Sequence, residues 1–448
     1  MTTDFSALGK RLVRLGERLG ADEVEVYIEE STSRDITLVG KVETLGSSHF
    51  SGLGIRVVVG KRVGLSSTTS LNPRETEQTV RRAYSIAKVS EPNKDWVSLA
   101  KNTGRMSIEG ILDPEIQGLP PETMSKAALE MLRAVREKDA NLIVTRGGVS
   151  TGIRTATIVD SCSQALERTE SYASASISVS AGGGDSKGVS SESDATHSWR
   201  GLDVAGVCRK ASERAVTAAK ARSIPSGTIP IIWRNKLFAI VLTIMFGCTL
   251  SAESVQKRRS PWAGRVGSKI AADDLTLTDE GLMAGGMGTR EFDDEGVPQR
   301  RVPLIEGGVL RGYLYDTFTA SKDHVESTGN ASRSYDGIPR PAPNNLVLKP
   351  GTARFDEIVK ETRNGLYLQE LIGVWLSNPI SGYLGATVAN GMLVEKGELT
   401  RPVKGVLISG NFFEILQGGV DLIGSDTDHV GNSYSPTARL TSMAVTPQ

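Results

Sequence analysis

Hydrophobic positions set the first elements. Leu8, Leu12, Leu15 and Leu19 recur at helical spacing, and the pattern stops near Gly20, with Ala21 and Asp22 beyond it. In VEVYIEE, Val24, Val26 and Ile28 alternate with Glu25, Tyr27 and Glu29, which predicts a half-buried strand. Further strand-like segments, DITLVGKVETLGS, GLGIRVVVG and KRVGLSSTT, follow between Asp35 and Ser70 with glycines between them. Residues 76–90 return to a helical pattern through Val80, Ala83, Tyr84 and Ala87. Helix, strand meander, helix is the order of an α+β layer, not of alternating βαβ units.

A second unit of the same kind begins after the polar stretch between Pro114 and Pro121. Its helix opens on Pro121 and Glu122, good first-turn residues, and carries Met124, Ala128, Met131, Leu132 and Val135 on one side. NLIVTRGGV, GIRTATIVDS and YASASISVSAG read as strands, the last dominated by small residues, and AGGGDSKG as a flexible turn. Residues 204–220 form a helix that buries Val204, Val207, Cys208, Ala211 and Ala215. SIPSGTIP, 223–230, is a linker by its Ser, Gly and Pro content. Beyond it the chain is rich in glycine and strand-type segments. KGVLISGNFFEIL is one, and LSNPISGYLGATVANGMLVEKGEL reads as strand, turn, strand around EKGE. The expected architecture is therefore α+β: an N-terminal α/β-layered region of two units, 1–112 and 113–222, then a large mostly-β domain, 223–448, with inserted helices.

LFAIVLTIMFGCTL, 237–250, breaks the pattern by being nearly all apolar. Spanning a bilayer needs about 20 such residues, and Arg234, Lys236 and Glu253 flank this run. It is expected to be a buried element of a soluble domain. The amphipathic start, MTTDFSALGKRLVRLG, does not read as a secretory signal. Lys plus Arg and Asp plus Glu balance at 52 each, so no net charge attracts nucleic acid or anionic lipid. Cys162, Cys208 and Cys248 are too few and scattered for a disulfide scaffold and suit a reducing, cytoplasmic compartment.

Candidate chemistry is sparse. His49, His197, His324 and His429 stand apart, and HExxH does not occur. GLMAGGMG, GLGIRVVVG and AGGGDSKG lack the strand–turn–helix setting of a dinucleotide fingerprint and read as turns. TREFDDEGVPQRR, 289–301, gathers Glu291, Asp293, Asp294 and Glu295 beside three arginines; it could bind a cation or a basic peptide end, but a solvated hairpin is the plainer reading. STGNASRSYDG, 327–337, presents Asn330, Arg333 and Tyr335 on a loop that could clamp a peptide backbone or merely connect. Cys248 sits in apolar sequence with no neighbouring histidine, which predicts a buried, inert thiol.

Several blocks carry a family resemblance. PWAGRVGSKIAADDLTLTDEG (261–281), EFDDEGVPQRRVPLIEGGVLRGYLYDTFTA (291–320), NPISG (378–382) and PVKGVLISGN (402–411) together resemble the TldD/PmbA family, once described as modulators of DNA gyrase. The resemblance implies two branches that pair. The TldD-like branch carries HExxxH and a later cysteine, which bind zinc and supply a general base. The PmbA branch, also called TldE, lacks them. Counted back from WAGRVG, the positions of the two histidines and the glutamate fall on Thr243, Cys248 and Ile244 here, and no cysteine follows Cys248. The implied role is a non-catalytic subunit without a metal of its own. Zinc is expected in a TldD-like partner within a heterodimer, with a homodimer in the partner's absence. The implied substrates are unfolded or small peptides and leader peptides, without direct contact to nucleic acid or membrane. Alternatives are an autonomous metallopeptidase drawing on His324, His429 or acidic loop residues, and a peptide-binding scaffold. Trp262, Arg265, Asp293, Asp294, Asn330, Arg333, Asn378 and Asn411 lie in the family-like blocks as cavity or structural positions.

Overall fold

The alternation at 24–28 is a fragment of a far longer strand. The computed structural model describes residues 4–448; the first three residues of the amphipathic start lie outside the described residues. α1 (Phe5–Arg18), β1 (Glu23–Leu38), β2 (Val42–Val59), β3 (Arg62–Thr68) and α2 (Pro73–Val89) make the first unit. α3 (Pro114–Gln117), α4 (Pro121–Lys138), β4 (Ile143–Asp160), β5 (Ala165–Ala181), β6 (Gly188–Thr196) and α5 (Val204–Ala219) make the second. The caps are where the chemistry puts them: Asp4 accepts the Ala7 N–H and Asn72 that of Glu75.

The two units share one antiparallel sheet, ordered β3-β2-β1-β4-β5-β6. The seam is β1 with β4, in register from Glu25↔Asp160 to Leu38↔Gly147. NLIVTRGGV and GIRTATIVDS are thus a single strand. Position 148 within it must be glycine, because a Cβ there would meet the Ile36 carbonyl oxygen at 2.0 Å. All the long helices lie on one face. α1 and α2 cover Val24, Val26, Ile28, Leu53 and Ile55, while α4 and α5 cover Ile36, Leu38, Val149, Ala175 and Ile177. The odd-numbered side chains of β1 therefore face the C-terminal region.

That region follows as β7 (Gly227–Trp233), α6 (Asn235–Phe246), α7 (Ala252–Gln256), β8 (Leu277–Glu280), β9 (Arg301–Glu306), β10 (Val309–Leu310), α8 (Thr317–Asp323), β11 (Ala331–Ser332), β12 (Arg340–Pro341) and β13 (Leu346–Leu348). Then come α9 (Phe355–Thr362), β14 (Asn364–Ile372), β15 (Tyr383–Glu395), β16 (Glu398–Val403), β17 (Val406–Asn411), α10 (Phe412–Gly418), β18 (Val420–Ile423), β19 (Asp428–Val430), β20 (Ser433–Ser435) and β21 (Ala438–Pro447). β14-β7-β21-β17-β15 closes on itself through β14–β15, giving a five-stranded barrel flanked by β16 and β18. A second sheet runs β10-β9-β8-β13-β20-β19. The strand–turn–strand around EKGE is β15–β16, turning at Lys396 (φ 55) and Gly397 (φ 81). FFEIL is not a strand: Asn411 accepts the Phe413 N–H at 3.0 Å and starts α10.

The apolar run 237–250 supplies most of α6, which lies against β20, β19 and β14. Among the described residues no helix is long and apolar enough to cross a membrane.

Candidate functional site

Opposite its helices, the N-terminal sheet carries small polar residues where a packed core would put Val or Leu. Register aligns Asp35 with Ser150 and Ser174, Thr37 with Gly148, Ser176 and Ser193, and Arg146 with Ser178 and Ser191. The period-two serines of YASASISVS are this face. Above them stand Lys236, Leu237 and Ile240 of α6 and Gln369, Glu370 and Leu371 of β14. Floor and roof enclose a cleft of about 520 Å³. β7 pairs with β14 only from Leu366 to Leu368, whereas β15 follows β14 to Ile372. Residues 369–372 therefore have no β7 partner, because the chain has turned into α6 at Arg234, whose N–H donates to the Leu368 carbonyl.

One wall of the cleft is an ion cluster. The Glu192 carboxylate, 2% exposed, takes Arg214 and Lys236 at 2.7 Å and Arg234 at 3.1 Å. Burial alone would raise its pKa, but the three cations outweigh it and hold it at about 2. Glu370 accepts the Ser191 N–H at 3.1 Å, and burial pushes its carboxyl up. Sequence reasoning treated Arg234 and Lys236 only as flanks and missed Glu192; the one signal was a basic pair bordering an apolar run.

α6 has a locked face and an open one. Phe238, Val241, Leu242, Met245 and Phe246 are buried to 1% or less. Ile240 in the cleft is followed one turn on by half-buried Ile244 and exposed Thr243, then by exposed Cys248. The expectation of a buried thiol fails, because position 248 falls on the open side; its partly desolvated thiol is still pushed above its ordinary value. Thr243 donates to the Ala239 carbonyl at 3.0 Å and shares 2.6 Å with the Ser433 hydroxyl.

This donor set does not suit zinc, which takes three or four N, S or O ligands at about 2 Å. Position 244 offers a hydrocarbon, position 243 a hydroxyl already bonded, and position 248 a single thiol. Among the described residues no group of three His, Cys, Asp or Glu is placed to hold a metal. The ring nitrogens of His197 face the Ser171 and Gly286 carbonyls, at 2.6 and 3.0 Å. His429 contacts the Ala195 carbonyl at 3.0 Å and stacks on Tyr434. His324 ends α8 in a left-handed conformation, and His49 is exposed on β2.

The remaining family-block residues fall into two groups away from the cleft. Trp262 anchors the end of α6: its indole N–H donates to Thr249, and its ring packs on Phe246 and Phe413. Arg265 lies over that indole. Asn411 caps α10, and exposed Asn378 accepts the Ile380 N–H in a turn. The second group overturns the solvated-hairpin reading of 289–301. Asp293, Asp294 and Glu295 are at most 2% exposed. Asp294 accepts from Tyr27 (3.0 Å), from Arg168 and from the Arg333 N–H (2.8 Å). Asp293 accepts three backbone N–H groups, from Glu295, Val297 and Ala331, at 2.9 to 3.0 Å. Arg333 reaches Glu25 and lies over the Tyr27 ring at 4.3 Å, and Asn330 donates to Asp279 at 2.7 Å. Arg56 bonds both Glu25 and Glu295. The loop is a buried ionic lock between the sheet and the C-terminal region.

Sequence models described as PmbA/TldA metallopeptidase domain 1, central domain and C-terminal domain match residues 24–87, 114–219 and 226–447. An uncharacterized protein of Methanocaldococcus jannaschii is 29% identical over 96% of this chain and 97% of its own length. A metalloprotease TldD homolog of Haemophilus influenzae is 25% identical over 88% of this chain and 84% of its own. The crystal structure of TldE from Thermococcus kodakarensis superposes with a TM-score of 0.89 at 23% identity, covering 98% of this chain and 99% of that one.

Proposed function

The chain belongs to the PmbA/TldD metallopeptidase family, and from that premise we propose that it is the non-catalytic, cytoplasmic subunit of a heterodimer. A TldD-like partner carries the zinc and hydrolyses unfolded or small peptides, leader peptides among them. The observation that carries this reading is the open face of α6. It continues from the cleft through Ile240 to Thr243 and Ile244, with Cys248 just past the helix end, the three positions to which the family resemblance assigns ligands and base. Isoleucine neither coordinates a metal nor takes a proton from water, so this face can pack against a peptide but cannot activate one.

The part left to this chain is binding and orientation. An extended peptide laid across the serine floor meets hydroxyls that donate or accept, and small side chains that leave it room. The edge of β14 that β7 leaves free at 369–372, its other edge being paired with β15, offers main-chain groups for strand addition, which reads backbone more than side chain.

Co-expression with a histidine-bearing relative tests the proposal. The two chains are expected to co-purify one to one, with zinc in the complex and cleavage of an unstructured fluorogenic peptide only when both are present. A purified single chain that holds stoichiometric zinc and cleaves the peptide at the rate of the mixture would overturn it.

A further inference from the structure

The charges that line the cleft are not all paired. Arg234 and Lys236, on its wall, are both bonded to Glu192. Arg146, exposed on the floor, has no hydrogen bond or ion pair among the described residues and leaves its N–H donors open. Asp35, also on the floor, accepts the Ser33 hydroxyl at 2.8 Å and that of Ser150, but pairs with no cation among the described residues. Glu370, the remaining lining carboxylate, is held on β6, two strands from Arg146, where both its oxygens take the Ser191 N–H at 3.1 and 3.2 Å. In the roof, Gln369 Oε1 is buried without a donor.

Register fixes how far apart the two open charges stand. Asp35 opposes Ser150 of β4, and Arg146 lies four residues from Ser150 on the same strand and the same face. At about 3.3 Å per residue that is about 13 Å. The row between them is Thr37, Gly148 and Ser176, with nothing taller than threonine to block a chain laid from one charge to the other. An extended peptide advances about 3.3 to 3.6 Å per residue, so four residues cover the distance, and three do if the arginine leans inward.

We propose that the cleft binds peptides of three or four residues by both free ends, the terminal ammonium on Asp35 and the terminal carboxylate on Arg146. This rests on the reading of the cleft as a peptide site and narrows it to a length and to two free ends. The guanidinium fork matches a carboxylate, and the ammonium supplies the cation that Asp35 lacks. A reversed peptide would set ammonium against guanidinium and carboxylate against carboxylate, so the charges fix direction as well as length. Peptide N–H groups give Gln369 Oε1 a donor. Small hydroxyl residues below and Leu237, Ile240 and Leu371 above ask for no particular side chain. Short chains with both ends free are what hydrolysis of longer peptides leaves, so peptide-bond cleavage is the reaction that supplies this ligand.

Isothermal titration calorimetry of the full chain with Ala-Leu-Leu-Ala, its N-acetyl form and its C-terminal amide tests the clamp. Each blocked end should weaken binding about tenfold or more, since each removes one charge-assisted contact. Asp35→Asn should erase the difference between the free and acetylated peptides while the amide still binds worse, and Arg146→Gln should do the reverse. A variant that only disturbed the fold would weaken all three peptides alike. The free tetrapeptide should also bind more tightly than its eight-residue tandem repeat, whose extended ends cannot meet both charges. The clamp is overturned if blocking the ends leaves affinity unchanged, if affinity simply grows with length, or if either substitution acts equally on all three peptides. Those outcomes would leave strand addition in place. Binding of none of the peptides would overturn the clamp together with the peptide role of the cleft, and the co-expression assay tests the subunit assignment separately from both.

Discussion

Asp294 concentrates the logic of the ionic lock in one side chain. It is 2% exposed and receives a phenol, a guanidinium and a backbone N–H. Burial alone would raise its pKa, but Arg168 and Arg290 hold it at about 2. Asp294→Ala would leave Arg168 with only the Phe292 and Asp293 carbonyls as partners, and the Tyr27 hydroxyl without its acceptor, beside a cavity of only about 110 Å³. Removing one partner of a buried pair costs about 3–5 kcal/mol, so urea unfolding should show a loss of that order. A loss under about 1 kcal/mol, the range of exposed ion pairs, would mean that the lock is solvated after all. The acidic density of this loop was legible in the sequence, but its burial was not. Tyr27 and Arg168 lie 267 and 126 positions away, and no local pattern encodes so distant a partner.

α6 is decided by two faces that one apolar run conceals. A period-3.6 stripe usually marks the buried side of a helix, but here even the open side is Ile240, Thr243 and Ile244, followed past the helix end by Cys248, so the run gave burial without direction. Truncation can separate the faces. Phe246→Ala, removing a ring packed on Trp262 and Phe412, should cost about 3–5 kcal/mol. Thr243→Ala and Cys248→Ala, at exposed positions, should each stay within about 1 kcal/mol. Thermal and urea melts of the three variants check this, and equal losses would refute the two-faced helix. Elsewhere the amphipathic helices α1, α2, α4 and α5 and the β15–β16 hairpin were legible, since each declares its period or its turn. α10 was not, because NFFEIL is short and apolar enough for either period, and only the Asn411 cap decides. Barrel closure was equally silent: β14 meets β7 from far along the chain, Leu366 opposite Ile231, and strand order leaves no mark on local alternation.

Across the whole molecule, buried carboxyls of opposite temper, some between the sheet and the C-terminal region and others such as Asp279 within that region, together fix a pH optimum. Burial pushes Asp279 up to about 7, against the hydrogen bonds of Asn330 and Asn344. Asp160 rises to about 6, also chiefly by burial. Asp293 and Asp316 are raised by burial and then by the charge of Glu295. An unfolded Asp titrates near 3.9, so above that pH the folded state holds protons that the unfolded state has lost. Their contribution is complete below about 3.9 and fades as pH rises from there to the folded values, about 6 to 8, beyond which it is lost. Asp294 and Glu192, both held at about 2, have the opposite sign: their contribution is present above the unfolded carboxylate range and is lost as pH falls toward 2. The two trends leave a maximum at roughly pH 4 to 5, the unfolded carboxylate range. The melting temperature should therefore peak there and decline from about pH 5 to 8. Asp279→Asn, which cannot ionise, should flatten that decline while leaving the acid limb in place. Differential scanning fluorimetry of both proteins across pH 3 to 9 reads this directly. A melting temperature that rises from pH 6 to 8, or a decline that Asp279→Asn leaves untouched, would show that Asp279 is ionised in the folded chain at all these pH values and that water reaches the face it occupies.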